Sequence, residues 1–172
     1  TSKIRYAIAF DLGTTTVVAT LLDLETGTPV AVSSMLNKQQ PFGGDVISRI
    51  SATMMDPAAL PALQKAASDT LAELASEVCV EGGVDPLSVY EVAIAGNATM
   101  TALLLGLDPA PLGVAPFVMP PARFPAWLAS GTLLLVALLA SGCGGQTSVQ
   151  GGTRGVVLVG GAALPEIQVT IH

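Results

Sequence analysis

Phe10-Asp11-Leu12-Gly13-Thr14-Thr15-Thr16 is the stretch whose residue types and spacing can do chemistry on an anion. Glycine at position 13 lets the backbone approach a phosphate closely, where a β-carbon would collide. The N–H groups and hydroxyls of Thr14, Thr15 and Thr16 can then point at anionic oxygens. Asp11, at the end of an apolar run, offers a carboxylate to Mg²⁺, held through water because magnesium gives up its hydration shell reluctantly. The plainer alternative is an ordinary hairpin with a glycine turn. Context favours the anion site, because strong strand signals flank the string on both sides.

Those flanking elements must position the turn. Residues 4–10 alternate and then run apolar, and residues 15–24 are rich in β-branched types. Asp23-Leu24-Glu25-Thr26-Gly27 reads as a hairpin turn, with Gly27 at positive φ, leading into a third strand over Pro29 to Leu36. Asp45 can cap a short helix running through Ser51. After Asp56-Pro57, Leu60, Leu63, Ala67, Leu71, Leu74 and Val78 recur every three or four residues, one stripe of a helix that Gly82-Gly83 ends. Val89 to Ala95 reads as a buried strand, and Thr99 to Leu105 as a short apolar helix closed by Gly106 and Pro109. The expected class is α/β: an RNase H-like lobe with a mixed five-stranded sheet in the order β-β-β-α-β-α-β-α. A Rossmann domain would alternate strand and helix from the outset.

Residues 1–120 are expected to form that lobe, and 121–172 a low-charge tail supplying its last strand and helix. The strand is expected over 155–159 and the helix near Pro165, with a Gly/Pro-rich loop before them. Phe124 to Thr153 carries no charge, and Leu133 to Ala140 is continuously apolar. That apolar run ends in Ser141-Gly142-Cys143 and mimics a lipoprotein signal, but it is internal, lacks a basic flank and is shorter than the ~20 residues a span needs. A buried helix is the expectation, not a membrane anchor.

Length and composition exclude other classes. At 172 residues the chain has room for one core, and 51% hydrophobic with 12% charged residues argues for burial rather than disorder. A net charge of −6 without any basic run, and few aromatics, exclude a nucleic-acid face. Cys79 and Cys143 form no metal-binding spacing, so two free thiols in a reducing cytoplasm are expected. The lone His172 belongs to no visible catalytic triad.

The D-x-G-T-T-T string resembles the first phosphate motif of the ASKHA (actin-like ATPase) superfamily of sugar kinases, actin and seventy-kilodalton chaperones. Further motifs narrow the resemblance: Asn37-Lys38-Gln39-Gln40-Pro41-Phe42-Gly43-Gly44-Asp45-Val46-Ile47-Ser48-Arg49-Ile50, Ala95-Gly96-Asn97-Ala98-Thr99-Met100, and Leu103-Leu104-Leu105-Gly106-Leu107-Asp108-Pro109. Together, over about Ala7 to Pro120, the chain resembles the reductive activators of corrinoid-dependent enzymes. The resemblance implies ATP and Mg²⁺ as cofactors, and a corrinoid-containing protein or methyltransferase as partner. It also implies an upstream [2Fe–2S] domain that is absent from these residues. Carried over, Asp11, Gly13, Thr14, Thr15 and Thr16 match the nucleotide site, and Gly96 and Asn97 face the same crevice. Asn97 would hydrogen-bond a phosphate or the attacking water, as a catalytic residue beside Asp11, or else cap the helix beginning at Ala98.

Two departures qualify the match. No cysteine-rich ferredoxin segment is present, and an ASKHA ATPase closes two lobes on its nucleotide where these residues suffice for one. The expectation is therefore a fragment, and as an isolated chain a poor ATPase. Two other readings stand beside it. A small-molecule kinase would need a general base, for which Asp45 is the loop-proximal candidate. A non-enzymatic module would form a homodimer through an exposed face of the lobe. Asp45 and Arg49, one helical turn apart, fit an i,i+4 ion pair or contact with a ligand or partner.

Overall fold

The computed structural model describes residues 5–118, together with the backbone of four two-residue strands at 153–154, 158–159, 162–163 and 168–169. Strands β1 (Tyr6–Leu12), β2 (Thr16–Asp23) and β3 (Pro29–Leu36) form an antiparallel meander. The period of two along β1 sends Ile8, Phe10 and Leu12 into the core and leaves Asp11 exposed. The β2–β3 turn forms as the sequence requires. The Asp23 carboxylate accepts from Glu25 N at 2.7 Å, Gly27 N donates to the Asp23 carbonyl at 2.8 Å, and Gly27 has φ +70°.

Helix α1 (Val46–Met55) is capped by Asp45, whose side chain accepts from Ser48 N. It runs past the expected end at Ser51 because nothing breaks it before Asp56, which Pro57 holds extended at φ −136° and ψ 113°. Helix α2 (Ala59–Glu81) buries Leu63, Ala67, Leu71, Leu74 and Val78 in one stripe; Leu60, expected in that stripe, is half-buried at its edge. Pro61 sits in its first turn, where a missing N–H costs nothing. Burial, reinforced by the Asp85 charge, pushes the free Cys79 thiol above its usual pKa.

After a 3-10 turn at Pro86–Ser88, β4 (Val89–Gly96) returns to the sheet, and α3 (Ala98–Leu105) and α4 (Ala110–Gly113) follow. The sheet order is β3-β2-β1-β4, with β4 parallel to β1. A meander, a helical crossover, and a strand laid parallel against the first make the sheet mixed and the lobe RNase H-like. Residues Thr99–Leu105 of α3 are all buried, as expected of a helix apolar on every side that lies inside the core. α2 and α3 pack on the face of the sheet that carries Ile8, Phe10, Leu12, Val17, Leu21, Val92 and Ile94.

Among the described residues the main sheet has four strands. Within the expected fifth strand, Leu158–Val159 pairs antiparallel with Ala162–Ala163 and does not join that sheet. A second pair joins Thr153–Arg154 to Gln168–Val169. The apolar run Leu133–Ala140, Cys143 and the helix expected near Pro165 lie outside the described residues. Among the described residues no helix is long and apolar enough to cross a membrane.

Candidate functional site

The turn between β1 and β2 and the end of β4 meet at one edge of the sheet, because Asp11 and Leu12 lie in register with Ala95 and Gly96. A β-carbon on Gly96 would come within 3.2 Å of the Leu12 carbonyl oxygen, so glycine lets the two strand ends close up. Asn97 takes the capping role and adds a contact that the sequence did not suggest. Its side-chain oxygen caps α3 by accepting from Met100 N at 3.0 Å, while its Nδ2 donates to Thr14 Oγ1 at 3.1 Å. That second bond joins residues 83 apart in sequence. Asp11, Thr15, Thr16 and Asn97 are exposed, and Gly13, Thr14 and Gly96 are half-buried.

Gly13 has a reason beyond ligand access. A β-carbon there would lie 2.3 Å from the Thr16 carbonyl oxygen, so the turn itself closes only over a glycine. The three carbonyls of the turn are all held from behind. Asn37 Nδ2 donates to Gly13 O at 2.9 Å, Arg49 Nη2 to Thr14 O at 2.6 Å, and Asn37 N to Thr15 O at 2.8 Å. These peptides are trans, so each C=O and the next N–H point in opposite directions. The amides of Thr14, Thr15 and Thr16 therefore point away from the Asn37 and Arg49 groups that hold those carbonyls. Chemically this is a row of N–H donors with hydroxyls beside them, suited to anionic oxygens.

Behind the turn, Asn37, Gln39 and Arg49 are buried at 1%, 0% and 0% exposure. Gln39 Oε1 accepts from Arg49 Nη1 at 3.0 Å, and Gln39 Nε2 donates to the Leu63 carbonyl at 2.9 Å. Arg49 Nε donates to Gly43 O at 3.0 Å, and its Nη1 also lies 3.1 Å from the Met100 sulfur. No buried side-chain polar atom among the described residues lacks a partner. The Arg49 guanidinium is pushed below its usual pKa by burial, partly offset by the Asp45 charge.

The helical spacing of Asp45 and Arg49 misled on one point. Among the described residues the ion pairs are Lys38–Glu73 and Lys65–Asp69, and Arg49 is in neither. Asp45 instead accepts from Ser48 N and from Ser48 Oγ, both at 2.8 Å, and these bonds hold its carboxyl below the usual range. A carboxylate committed to capping α1 is a poor general base, which removes the kinase reading's one candidate. Sequence reasoning assigned no role to Asn37 or Gln39. Their signal was two amide side chains two residues apart at the end of a strand, where solvent-facing polar types are unremarkable.

No group of three or more His, Cys, Asp or Glu among the described residues is placed to hold a metal ion. Asp11 is a single carboxylate, the number that suffices for magnesium when phosphates and water complete the shell.

A family model described as "RACo middle region" matches residues 6–140. The chain is 46% identical over 113 residues to the "Corrinoid activation enzyme RamQ" of Eubacterium limosum, a match that covers 66% of this chain and 19% of that protein. It is also similar to the solved structure of a "Reductive activator for corrinoid,iron-sulfur protein", with 39% identity and a TM-score of 0.67 over 71% of this chain and 19% of the other. The chain thus spans about a fifth of the length of each of these relatives.

Proposed function

Since the chain belongs to the RACo middle region family, we propose that it is the ATP- and Mg²⁺-binding first lobe of a reductive activator whose client is a corrinoid protein. The observation that supports this most is the Asn97–Thr14 hydrogen bond, which ties two distant motifs into one rim. The amides of Thr14, Thr15 and Thr16 would take the terminal phosphate oxygens, preorganised by carbonyls already bonded on their far side. Thr14 Oγ1, held by Asn97, is fixed before any ligand arrives. Asp11 would hold Mg²⁺ through water, and the ion would neutralise phosphate charge when bound. Gly13 and Gly96 keep the rim free of β-carbons.

The residues fit that group, but not an iron–sulfur cluster. A [2Fe–2S] centre needs four ligands, usually thiolates, and the sequence has two cysteines, so electrons would enter from outside these residues. With 19% of each relative's length represented here, the remaining contacts to the nucleotide are assigned to residues outside this chain. A reducing, cytoplasmic setting belongs to the same reading, supported by the free thiol of Cys79.

Titration calorimetry of the chain with Mg-ATP tests the proposal. Weak binding is expected, with the magnesium-dependent share lost in Asp11→Ala at unchanged melting temperature. Absence of heat at saturating Mg-ATP refutes the nucleotide half. A corrinoid protein that leaves the ATP turnover of the full-length activator unchanged refutes the partner half.

A further inference from the structure

Arg49 is the largest fully buried side chain among the described residues. A buried guanidinium ordinarily faces a carboxylate, because an uncompensated charge in the interior is costly. Here its protein partners are neutral: Gly43 O, Thr14 O, Gln39 Oε1 and the Met100 sulfur. Two features stand out together. The cation is in no ion pair among the described residues and is only partly offset by the nearby Asp45 charge, and its shortest hydrogen bond, 2.6 Å, goes to the one backbone carbonyl at the centre of the phosphate turn.

A single peptide plane, the one joining Thr14 to Thr15, separates the guanidinium from the rim. Its carbonyl faces Arg49 and its N–H faces outward. Donation from a cation polarises that peptide and makes its N–H a stronger donor toward an anion. Asn37 does the same to the two neighbouring peptides through neutral bonds.

We propose that Arg49 and Asn37 are positioning residues that preset the phosphate turn, and that the charge of Arg49, which no ion pair among the described residues neutralises, is balanced by the anion bound across that peptide. The inference rests on the anion-binding reading of the turn and adds to it the residues that set affinity from behind. Neither residue touches the ligand.

The test uses the full chain and three probes: magnesium tripolyphosphate, Mg-ATP and adenosine. Arg49→Gln keeps one amide donor group and removes the charge. Gln39→Glu places a carboxylate where Oε1 now lies, 3.0 Å from Arg49 Nη1, and so cancels the charge, at the loss of the Nε2 bond to the Leu63 carbonyl, whose stability cost is read separately from the melting temperature. Both variants should weaken tripolyphosphate and ATP by the same factor, on the order of tenfold to fiftyfold at low salt. Arg49→Lys should recover part of the loss. A purely structural role predicts the opposite ranking, with Gln39→Glu binding as well as wild type because its new ion pair holds the network.

A folded Arg49→Gln or Gln39→Glu chain that binds tripolyphosphate like wild type overturns the proposal. The wild-type chain supplies a check that needs no variant. Tripolyphosphate should shift the Arg49 Nε–H resonance in step with the amides of Thr14, Thr15 and Thr16, and an unmoved Arg49 signal at saturation also overturns it. Wild type should bind tripolyphosphate and ATP comparably and adenosine far more weakly, since the turn meets phosphate oxygens; adenosine binding as tightly as ATP removes the phosphate reading and the positioning role together. No binding of tripolyphosphate at all removes both.

Discussion

Gly13→Ala isolates how tightly the turn is built. The added β-carbon would sit 2.3 Å from the Thr16 carbonyl oxygen, about 1 Å inside the closest comfortable carbon–oxygen approach. The obstacle is backbone, not the tip of a flexible side chain, so the turn itself must open by that amount. An opening of this size stretches the bonds from Asn37 Nδ2 to Gly13 O and from Arg49 Nη2 to Thr14 O, now 2.9 and 2.6 Å, beyond useful hydrogen-bonding range. One neutral and one charge-assisted bond, each with a buried partner left wanting, put the cost at about 2–4 kcal/mol. With a denaturant slope of about 1–3 kcal/mol/M, the urea midpoint should fall on the order of 1–3 M. Gly44→Ala is the control: a β-carbon there meets nothing within 4 Å, and the change should stay within about 0.5 kcal/mol. The assay is urea unfolding followed by circular dichroism for wild type and both variants. Coincident midpoints for Gly13→Ala and wild type would mean that the turn relaxes freely, and the account of a preset turn would be wrong.

Asn97→Asp should separate the two jobs of that side chain. Aspartate still caps α3 and suits a helix N-terminus, so thermal stability should hold within about 1 kcal/mol. The donor to Thr14 Oγ1 is lost and a negative charge faces the rim, so Mg-ATP affinity measured by calorimetry should drop at least about tenfold. Asp45 sets a pH dependence. Its carboxyl is held below the usual range by the bonds from Ser48, so the stabilisation is complete above the unfolded pKa, near 4, and disappears as pH falls through the lower folded value. Asp45→Asn keeps a capping oxygen but cannot titrate. The stability gap between wild type and this variant should therefore be flat above about pH 5 and shrink below it, and a gap that widens on acidification would contradict the cap geometry.

Much of this lobe is legible in the sequence because its local and tertiary preferences agree. The β2–β3 turn combines Asp23 and Gly27 at positions where an Asx turn and a positive φ are required, and both appear as expected. The stripe of α2 meets the sheet along one face because its spacing matches the helix period. The order of three strands, helix, strand and helix fixes the class for the same reason. Where the sequence was less informative, the controlling contact was remote. Gly13 was read as making room for a ligand, and the structure adds a nearer cause in the Thr16 carbonyl. Asn97 caps α3, as one of its two readings had it, and nothing local showed that its Nδ2 would also reach Thr14, since that partner lies 83 residues upstream.

Arg49 is the clearest case of tertiary context overriding a sound local rule. Four residues after Asp45, on the first turn of a helix, an arginine is expected to fold back along the surface and pair, an interaction worth about 0.2–0.5 kcal/mol. That gain is smaller than the effect of satisfying one buried and two part-buried acceptors, each hydrogen bond to a charged donor contributing roughly 1.5–3 kcal/mol. The carbonyls of Gly43 and Thr14 and the Gln39 amide oxygen lie within reach of one guanidinium fork, so the side chain turns inward. Asp45, released from pairing, accepts from the orphan amide of Ser48. The same competition decides where α1 places its charged residue: helical period predicts which residues share a face, but the chemistry of the surface they meet decides which face is buried. Here Arg49 on α1 meets the back of the β1–β2 turn, a surface of carbonyl and amide oxygens, and that surface selects a cation.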